Sequence, residues 1–328
     1  MKPDFRIEIG GIDRTDVVRT RLLDAKVTDE AGQMSDRLEL NFDDRDAAIP
    51  IPPKDADIRL WLGYADHPTL RPVYMGSFKV DEVEVGSGPH SLAIRAKAAD
   101  LGGGFRSPKF RSWDGKTIGD IVGQVAADNG YTPLIDPELS AIVVPHIDQT
   151  EESDAAFLTR LAGNHDAVAK PADGKLIFTK RHGDTRPGGG AIPTVALTPK
   201  DFTSWKAKIS ERGNHGKVTS YYQDHATGER AAVTVGDGGD DVSPYLDRDP
   251  YGTREEAEAG AKAKLNDFGR GKLSFNGSGP GRPDLFAEAR IVLSGFRPGV
   301  DGSYALKSVE HSFSNSGFTT SVTAETTA

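Results

Sequence analysis

The chain has 328 residues, no cysteine and a formal net charge of −9. That length allows two or three domains of about 100 to 200 residues, each able to bury a core, and the missing thiols exclude disulfides, thiolate metal sites and a cysteine nucleophile. No third of the chain is basic, with net charges of −5 over 1–100, −1 over 101–200 and −3 over 201–328, so the clustered cationic face that tight nucleic-acid binding requires is missing.

The start, Met1-Lys2-Pro3-Asp4-Phe5-Arg6, leads into a strand pattern with no hydrophobic signal region, and no apolar run approaches the roughly 18 residues of a membrane helix. The expectation is a protein made in the cytoplasm with no membrane insertion of its own. Phe5–Ile9, Arg37–Phe42 and Ile58–Leu62 alternate apolar and polar residues between Asp, Gly and Pro clusters, as half-buried strands do. Val80, Val83 and Val85 lead through the turn Gly86-Ser87-Gly88-Pro89 into a strand at Leu92–Ala96. This predicts a small antiparallel barrel or sandwich over 1–102.

After the break Gly102-Gly103-Gly104 the period changes. Thr117 caps a predicted helix whose stripe is Ile118, Ile121, Val122, Val125 and Ala126, stopped by Asn129-Gly130. A second helix is predicted from Thr150–Ser153 to about Asn164, with Glu151, Glu152 and Asp154 at its positive end and Phe157, Leu158 and Leu161 inward. A hairpin follows, Ala167–Lys170 and Leu176–Phe178 joined through Asp173-Gly174. Residues 103–198 thus form an α+β insert, closed by the link Arg186-Pro187-Gly188-Gly189-Gly190. Strands around Phe202–Ile209, Val218–Tyr222 and Ala231–Val235 come next, then a helix with a capping box at Thr253-Arg254-Glu255-Glu256 and a face of Ala257, Ala261, Leu265 and Phe268.

A nine-residue pattern recurs: Gly76-Ser77-Phe78-Lys79-Val80-Asp81-Glu82-Val83-Glu84 returns 226 positions later as Gly302-Ser303-Tyr304-Ala305-Leu306-Lys307-Ser308-Val309-Glu310. Upstream, Arg59–Tyr64 matches Arg290–Phe296 with one residue inserted. The same order of elements on both sides of the insert implies two copies of one β-rich unit.

The run Gln149–Ala162, followed by Asp173–Phe178, resembles the signature of the late control gene D proteins, and Trp113–Ile118 and Asn129-Gly130-Tyr131 are similar to the same pattern. These are baseplate hub proteins of contractile bacteriophage tails, related to the hub part of type VI secretion spikes. The resemblance implies a mainly β fold in which two tube-type antiparallel β-barrel domains, 1–102 and 199–328, flank a central helix-containing domain at 103–198, the second barrel carrying one flanking helix. It also implies a homotrimer that presents six barrel modules to a sixfold tail tube ring and a threefold face to a central spike protein. The resemblance further implies other baseplate proteins as partners, an insert lying outside or toward the spike, and a location in the virion tail baseplate or a tail-like particle. With only a short stretch after the second unit, the expectation is that the spike is a separate protein. A mildly acidic lumen would let DNA pass without adhering.

Every chemically suggestive group has a structural reading. His146-Ile147-Asp148 and His165-Asp166 could be metal ligands, but no second pair stands at helical spacing, and His165 falls at a helix end. Asp237-Gly238-Gly239-Asp240-Asp241 lacks the ordered acidic spacing of a calcium loop. Glu151-Glu152 and Glu255-Glu256 are expected in first helical turns, where the dipole accounts for them. Gly213-Asn214-His215-Gly216-Lys217-Val218 is no phosphate loop, because Val218 stands where a hydroxyl must ligate magnesium. No nucleophile elbow occurs. The expectation is therefore no catalytic, cofactor or metal residue and no enzyme, with a spike-associated cell-wall hydrolase or effector, and a late-gene transcription regulator, as alternatives. The acidic charge and the lack of a basic recognition helix oppose the latter, and no sequence-specific nucleic-acid partner is expected.

Overall fold

A computed structural model describes residues 1–32, 36–98, 103–172, 174–183, 192–210, 215–223, 227–237, 244–270 and 272–327. The first stretch holds β1 (Pro3–Ile9), β2 (Ile12–Asp13), the single turn α1 (Thr15–Val18), β3 (Leu22–Glu30), β4 (Arg37–Asp43), β5 (Asp57–Tyr64), β6 (Val73–Gly86) and β7 (Ser91–Ala98). The middle holds α2 (Gly103–Arg106), β8 (Pro108–Thr117), α3 (Ile118–Asp128), β9 (Thr132–Ile135), α4 (Pro137–Ser140), β10 (Val143–Ser153), α5 (Asp154–Asn164), β11 (Ala167–Ala172) and β12 (Lys175–Lys180). Then come β13 (Thr194–Leu197), β14 (Ser204–Ile209), β15 (Val218–Gln223), β16 (Arg230–Val235), β17 (Tyr245–Tyr251), α6 (Arg254–Arg270), β18 (Leu273–Pro280), β19 (Arg290–Leu293), β20 (Gly302–Ser314) and β21 (Gly317–Thr326). The molecule is mainly β.

Thirteen strands form one sheet whose main path is β14-β18-β21-β20-β3-β4-β7-β6-β5-β1-β2, with β19 on β20 and β13 on β19. Within it one order occurs twice. Numbering each set in chain order, β3, β4, β5, β6, β7 and β14, β18, β19, β20, β21 both lie in the sheet as first, second, fifth, fourth, third. The detail repeats as well. Ile58 and Leu60 face Phe78 and Gly76 across β5–β6, as Ile291 and Leu293 face Tyr304 and Gly302 across β19–β20. Both glycines hold positive φ, 132° and 150°, which a side chain would strain. Each copy then has a bulge at one place, between Val80 and Glu82 and between Leu306 and Ser308. The bulges are approached by Asp55 and Glu288, both left-handed at φ 65° and 69°, whose amides donate to the carbonyls of Val80 and Leu306.

This register corrects one detail of the sequence match. Ile58 corresponds to Ile291, so Arg59 stands with Val292 and not with Arg290, because strand pairing, not residue likeness, decides equivalence. The copies are also not independent sheets, since β20 pairs with β3 over Ser308–Ser314 and Asp24–Glu30.

Three apolar clusters underlie these strands. One joins Ile7, Val27, Leu40, Leu60, Phe78 and Ile94 and takes in Phe318 from β21. The second packs the stripe of α3 and Phe157, Leu158 and Leu161 of α5 against Leu176 and Phe178. The third gathers Leu197, Phe275, Ile291, Tyr304, Leu306 and Val322. α3 starts with the expected cap, Asp120 N donating to Thr117 Oγ1 at 3.0 Å while Asp120 Oδ2 accepts from Thr117 N. The hairpin pairs Ala167–Ala172 with Lys175–Lys180; Asp173 of its turn and the link 186–190 lie outside the described residues.

Glu151 and Glu152 are not in a first helical turn. They end β10, where a bulge throws Glu151 into φ 51° and Glu152 pairs with Lys109, and Ser153 caps α5 instead. The α6 cap holds: Glu256 N donates to Thr253 Oγ1 at 3.2 Å, and Gly252 N donates to Glu256 Oε2 at 3.1 Å. Ala257 and Ala261 are fully buried on its inner face.

Candidate functional site

Strand pairing brings His146 of β10 beside Asp114 of β8, with Nδ1 at 2.6 Å from Asp114 Oδ1 and Nε2 at 3.3 Å from Asp148 Oδ2. Hydrogen bonds donated by the ring to the Asp114 carboxylate, then to Asp148, raise the imidazole pKa. Ser112 donates its hydroxyl to Asp148 at 2.8 Å. A general base must accept the nucleophile's proton, and here the serine is spent on the carboxylate rather than the imidazole. His146, His165, Arg160, Tyr251 and Glu256 line one cavity of about 140 Å³, yet no group of three or more acidic or imidazole ligands fit for a metal ion occurs among the described residues.

His165 ends α5, its N–H donating to Ala162 O at 3.1 Å, as the sequence implied. Burial lowers its pKa, so desolvation outweighs the dipole that would favour a charged ring. Burial likewise raises Glu256 despite its place at a helix N-terminus. Glu152 pairs on the surface with Arg160 at 2.7 Å. Of the run Asp237–Asp241, expected as a solvated loop and not a calcium site, only Asp237 is described, and Gly213 and Asn214 also lie outside the described residues.

What the structure adds is a set of ionic joints, one fully buried and two half-buried. Inside the insert, Asp154 is 0% exposed and accepts from Lys109 Nζ at 2.5 Å, Asn129 Nδ2 at 2.7 Å and Gln149 Nε2 at 2.9 Å. Burial pushes its pKa up, but the Gln149, Lys109 and Asn129 donors outweigh it and leave the pKa lowered. Gln149 and Asp154 both belong to the signature run, so that run encodes the joint between α3, β8, β10 and α5. A second joint ties the insert to the sheet: Lys170 Nζ lies 2.6 Å from Asp36 Oδ1, 3.2 Å from Asp29 Oδ1 and 2.8 Å from Glu30 O, while Asp29 Oδ2 accepts from Ala287 N at 2.8 Å. Burial, then the neighbouring Asp29, raises Asp36 to about 7. The third joins the insert to α6, where Asp166 accepts from Arg270 Nη2 at 2.6 Å, Arg270 Nη1 at 3.1 Å and Asn266 Nδ2 at 2.8 Å. Asp166 and the adjoining His182 and Glu288 all hold positive φ, at 48°, 54° and 69°. Burial, then Arg270, pushes His182 down to about 4. Backbone strain and buried charge coincide where the parts meet.

The solvent side of the sheet has its own character. Lys26 meets Glu310 at 2.8 Å, Arg95 meets Glu82 at 2.7 Å and Lys97 meets Asp81 at 2.5 Å. Toward β14 the charges give way to hydroxyls, with Ser321 Oγ donating to Ser278 Oγ at 3.0 Å and Thr323 Oγ1 donating to Asn276 Oδ1 at 2.9 Å.

A repeated β unit, ionic joints and paired surface charge define a structural scaffold. The chain belongs to the phage tail baseplate hub family, whose model, described as phage tail baseplate hub (GPD), matches residues 18–317. It is 30% identical to the probable baseplate hub protein of Escherichia phage 186, over 99% of this chain and 93% of that one. The corresponding protein of Escherichia phage P2 is 29% identical over the same shares. In fold it is similar to the 43 kDa tail protein of prophage MuSo2 from Shewanella oneidensis, with a TM-score of 0.74 at 14% identity over 98% of both chains. The E. coli c3393 protein, a type VI secretion component, gives a TM-score of 0.56 at 12% identity over all of this chain and 77% of that one.

Proposed function

We propose that the chain is a non-enzymatic baseplate hub that works as a homotrimer, adapting a sixfold tail tube ring to a threefold spike. The observation that carries this is the duplicated strand order with its matching bulges, because three chains with two such units each offer six similar modules. In this reading 1–102 and 199–328 are tube-like barrel domains around an insert at 103–198, consistent with the three separate apolar clusters. The partners are the tube ring, the spike and neighbouring baseplate proteins, and the location is the tail baseplate, after synthesis in the host cytoplasm. Charges paired within the sheet leave little net field on a lumen-facing surface, so DNA would pass it without adhering. Family membership favours this role over a cell-wall hydrolase or a transcription regulator. Native mass measurement at micromolar concentration, with and without the spike, tests it: a trimer in either condition is expected, and a stable dimer or hexamer in both refutes it.

A further inference from the structure

The duplication allows one copy to be read against the other. β20 has β21 along one edge; along the other it has β19 up to Ala305 and then β3 from Ser308 onward. β6 is built alike, with β7 along one edge and β5 along the other as far as Lys79. Past the bulge, however, no strand lies beside the edge Glu82–Gly86 among the described residues. The counterpart of β3 is β14, which pairs with β18 alone, so its outer edge is also open among the described residues. One chain therefore carries both halves of a junction it has already made once. Unpaired strand edges invite pairing with another chain.

We propose that the Glu82–Gly86 edge of β6 in one copy pairs antiparallel with β14 of a second copy of this chain, repeating between chains the β20–β3 junction. The proposal rests on the trimeric reading and names the surface that would build it. The register follows from the two sets of equivalences. The bulges place Val83 with Val309 and Glu84 with Glu310. Leu40 opposite Ile94 and Gly277 opposite Val322 place Ala25 with Trp205, hence Lys26 with Lys206 and Thr28 with Lys208. Since Glu310 faces Thr28 and Val309 faces Asp29 within the chain, Glu84 would face Lys208, and Val83 would face Ile209, of the neighbouring copy.

The side chains suit this arrangement. Val85 and Ile209 are 59% and 65% exposed in the single chain, unusual for apolar residues on strand edges. Glu82 and Glu84 are also exposed, and Lys206 and Lys208 have no ionic partner among the described residues. Within the chain, Lys26 of β3 bonds Glu310 of β20 at 2.8 Å, so Lys206 reaching Glu84 would reproduce an ion pair already present at the internal junction. Opposite charges across paired strands favour that register over its slips. Three chains then supply three internal and three intermolecular junctions, which closes a head-to-tail ring.

The absence of native cysteines makes the test clean. Paired residues on antiparallel strands hold Cα atoms about 4.5–5.5 Å apart, within disulfide reach. The variant carrying both Glu84→Cys and Lys208→Cys is assembled into tail particles, oxidised and run on a denaturing gel without reductant. The expected major species is a covalent trimer, absent from either single-cysteine variant. A covalent dimer from a single-cysteine variant would mean a two-fold contact and overturn the head-to-tail pairing. Three copies per particle with the double variant still uncrosslinked would overturn the pairing while leaving the trimer intact; particles without three copies would remove both. Should the variant fail to assemble, carbodiimide coupling of wild-type particles decides. A Glu84–Lys206 or Glu84–Lys208 peptide is expected, spanning light and heavy chains in mixed-isotope particles, and its absence while Lys26–Glu310 is captured refutes the register.

Discussion

Replacing Asp154 by Asn tests whether the signature run builds a joint rather than a reactive site. The carboxylate is fully buried, and its removal strands its donors unequally. Asn129 Nδ2 keeps Val125 O at 2.8 Å, Gln149 Nε2 keeps Glu152 O at 2.9 Å and Arg111 keeps Asp128 at 2.9 Å. Lys109, only 22% exposed, loses its ionic partner. Breaking one half of a buried pair costs about 3–5 kcal/mol, and with two of the three donors, Asn129 and Gln149, still satisfied the expected loss is about 3 kcal/mol at neutral pH. Because the folded pKa of Asp154 is lowered, its contribution is present above the unfolded carboxylate pKa of about 4 and fades as pH falls through the folded value. Urea unfolding read through Trp113, which stacks on Phe157 at 6.1 Å inside the insert, measures both. A loss under about 1 kcal/mol, or a gap between wild type and variant that stays constant into the acid limb, would refute the joint.

Four further outcomes are expected. A Cβ at Gly260 would stand 2.1 Å from Tyr251 Oη, which holds Asp247 at 3.0 Å under α6, so Gly260→Ala should destabilise by about 1–3 kcal/mol, against the roughly 1 kcal/mol that alanine normally gains in a helix. Asp36, raised to about 7, binds its proton more tightly folded than unfolded, so its own contribution to stability, present below about pH 4, should be lost as pH rises to about 7; the wild-type urea midpoint should fall relative to that of Asp36→Asn over that range. Single changes of His146, His165, Glu151 or Glu152 to Ala should each cost at most about 1 kcal/mol and leave particles intact by negative-stain imaging, whereas particles that form yet no longer penetrate cells would reveal a site of chemistry. Leu161→Asp should unfold the insert, read as loss of Trp113 burial, since an unpaired charge would enter a site 1% exposed.

The elements with a clean local period were legible from sequence. The stripe and cap of α3, the face of α5 and the strands at 5–9, 37–42 and 58–62 stand as read. β3 escaped notice because a bulge between Leu22 and Asp24 breaks its alternation at the start. The ribbon of β8 and β10 escaped because most of its residues are exposed, so no buried face imposes a period of two. The ionic joints lie further out of reach. Lys170 and Asp36 are 134 residues apart, and Arg270 and Asp166 are 104 apart, and no local pattern announces a partner at that distance. The recurring glycines at 76 and 302 did carry a signal, because a positive φ at one place in a strand pair tolerates little else.

The ladder between β3 and β20 has a kinetic consequence. Both strands belong to one polypeptide, so their meeting is a folding event whose rate is independent of how much protein the cell contains. Tethered segments meet at effective concentrations of order millimolar, far above what a scarce particle component reaches in solution. In the proposed trimer, two copies joined through this ladder would convert every second contact of the ring from diffusion into chain closure, leaving ring size to the remaining contacts.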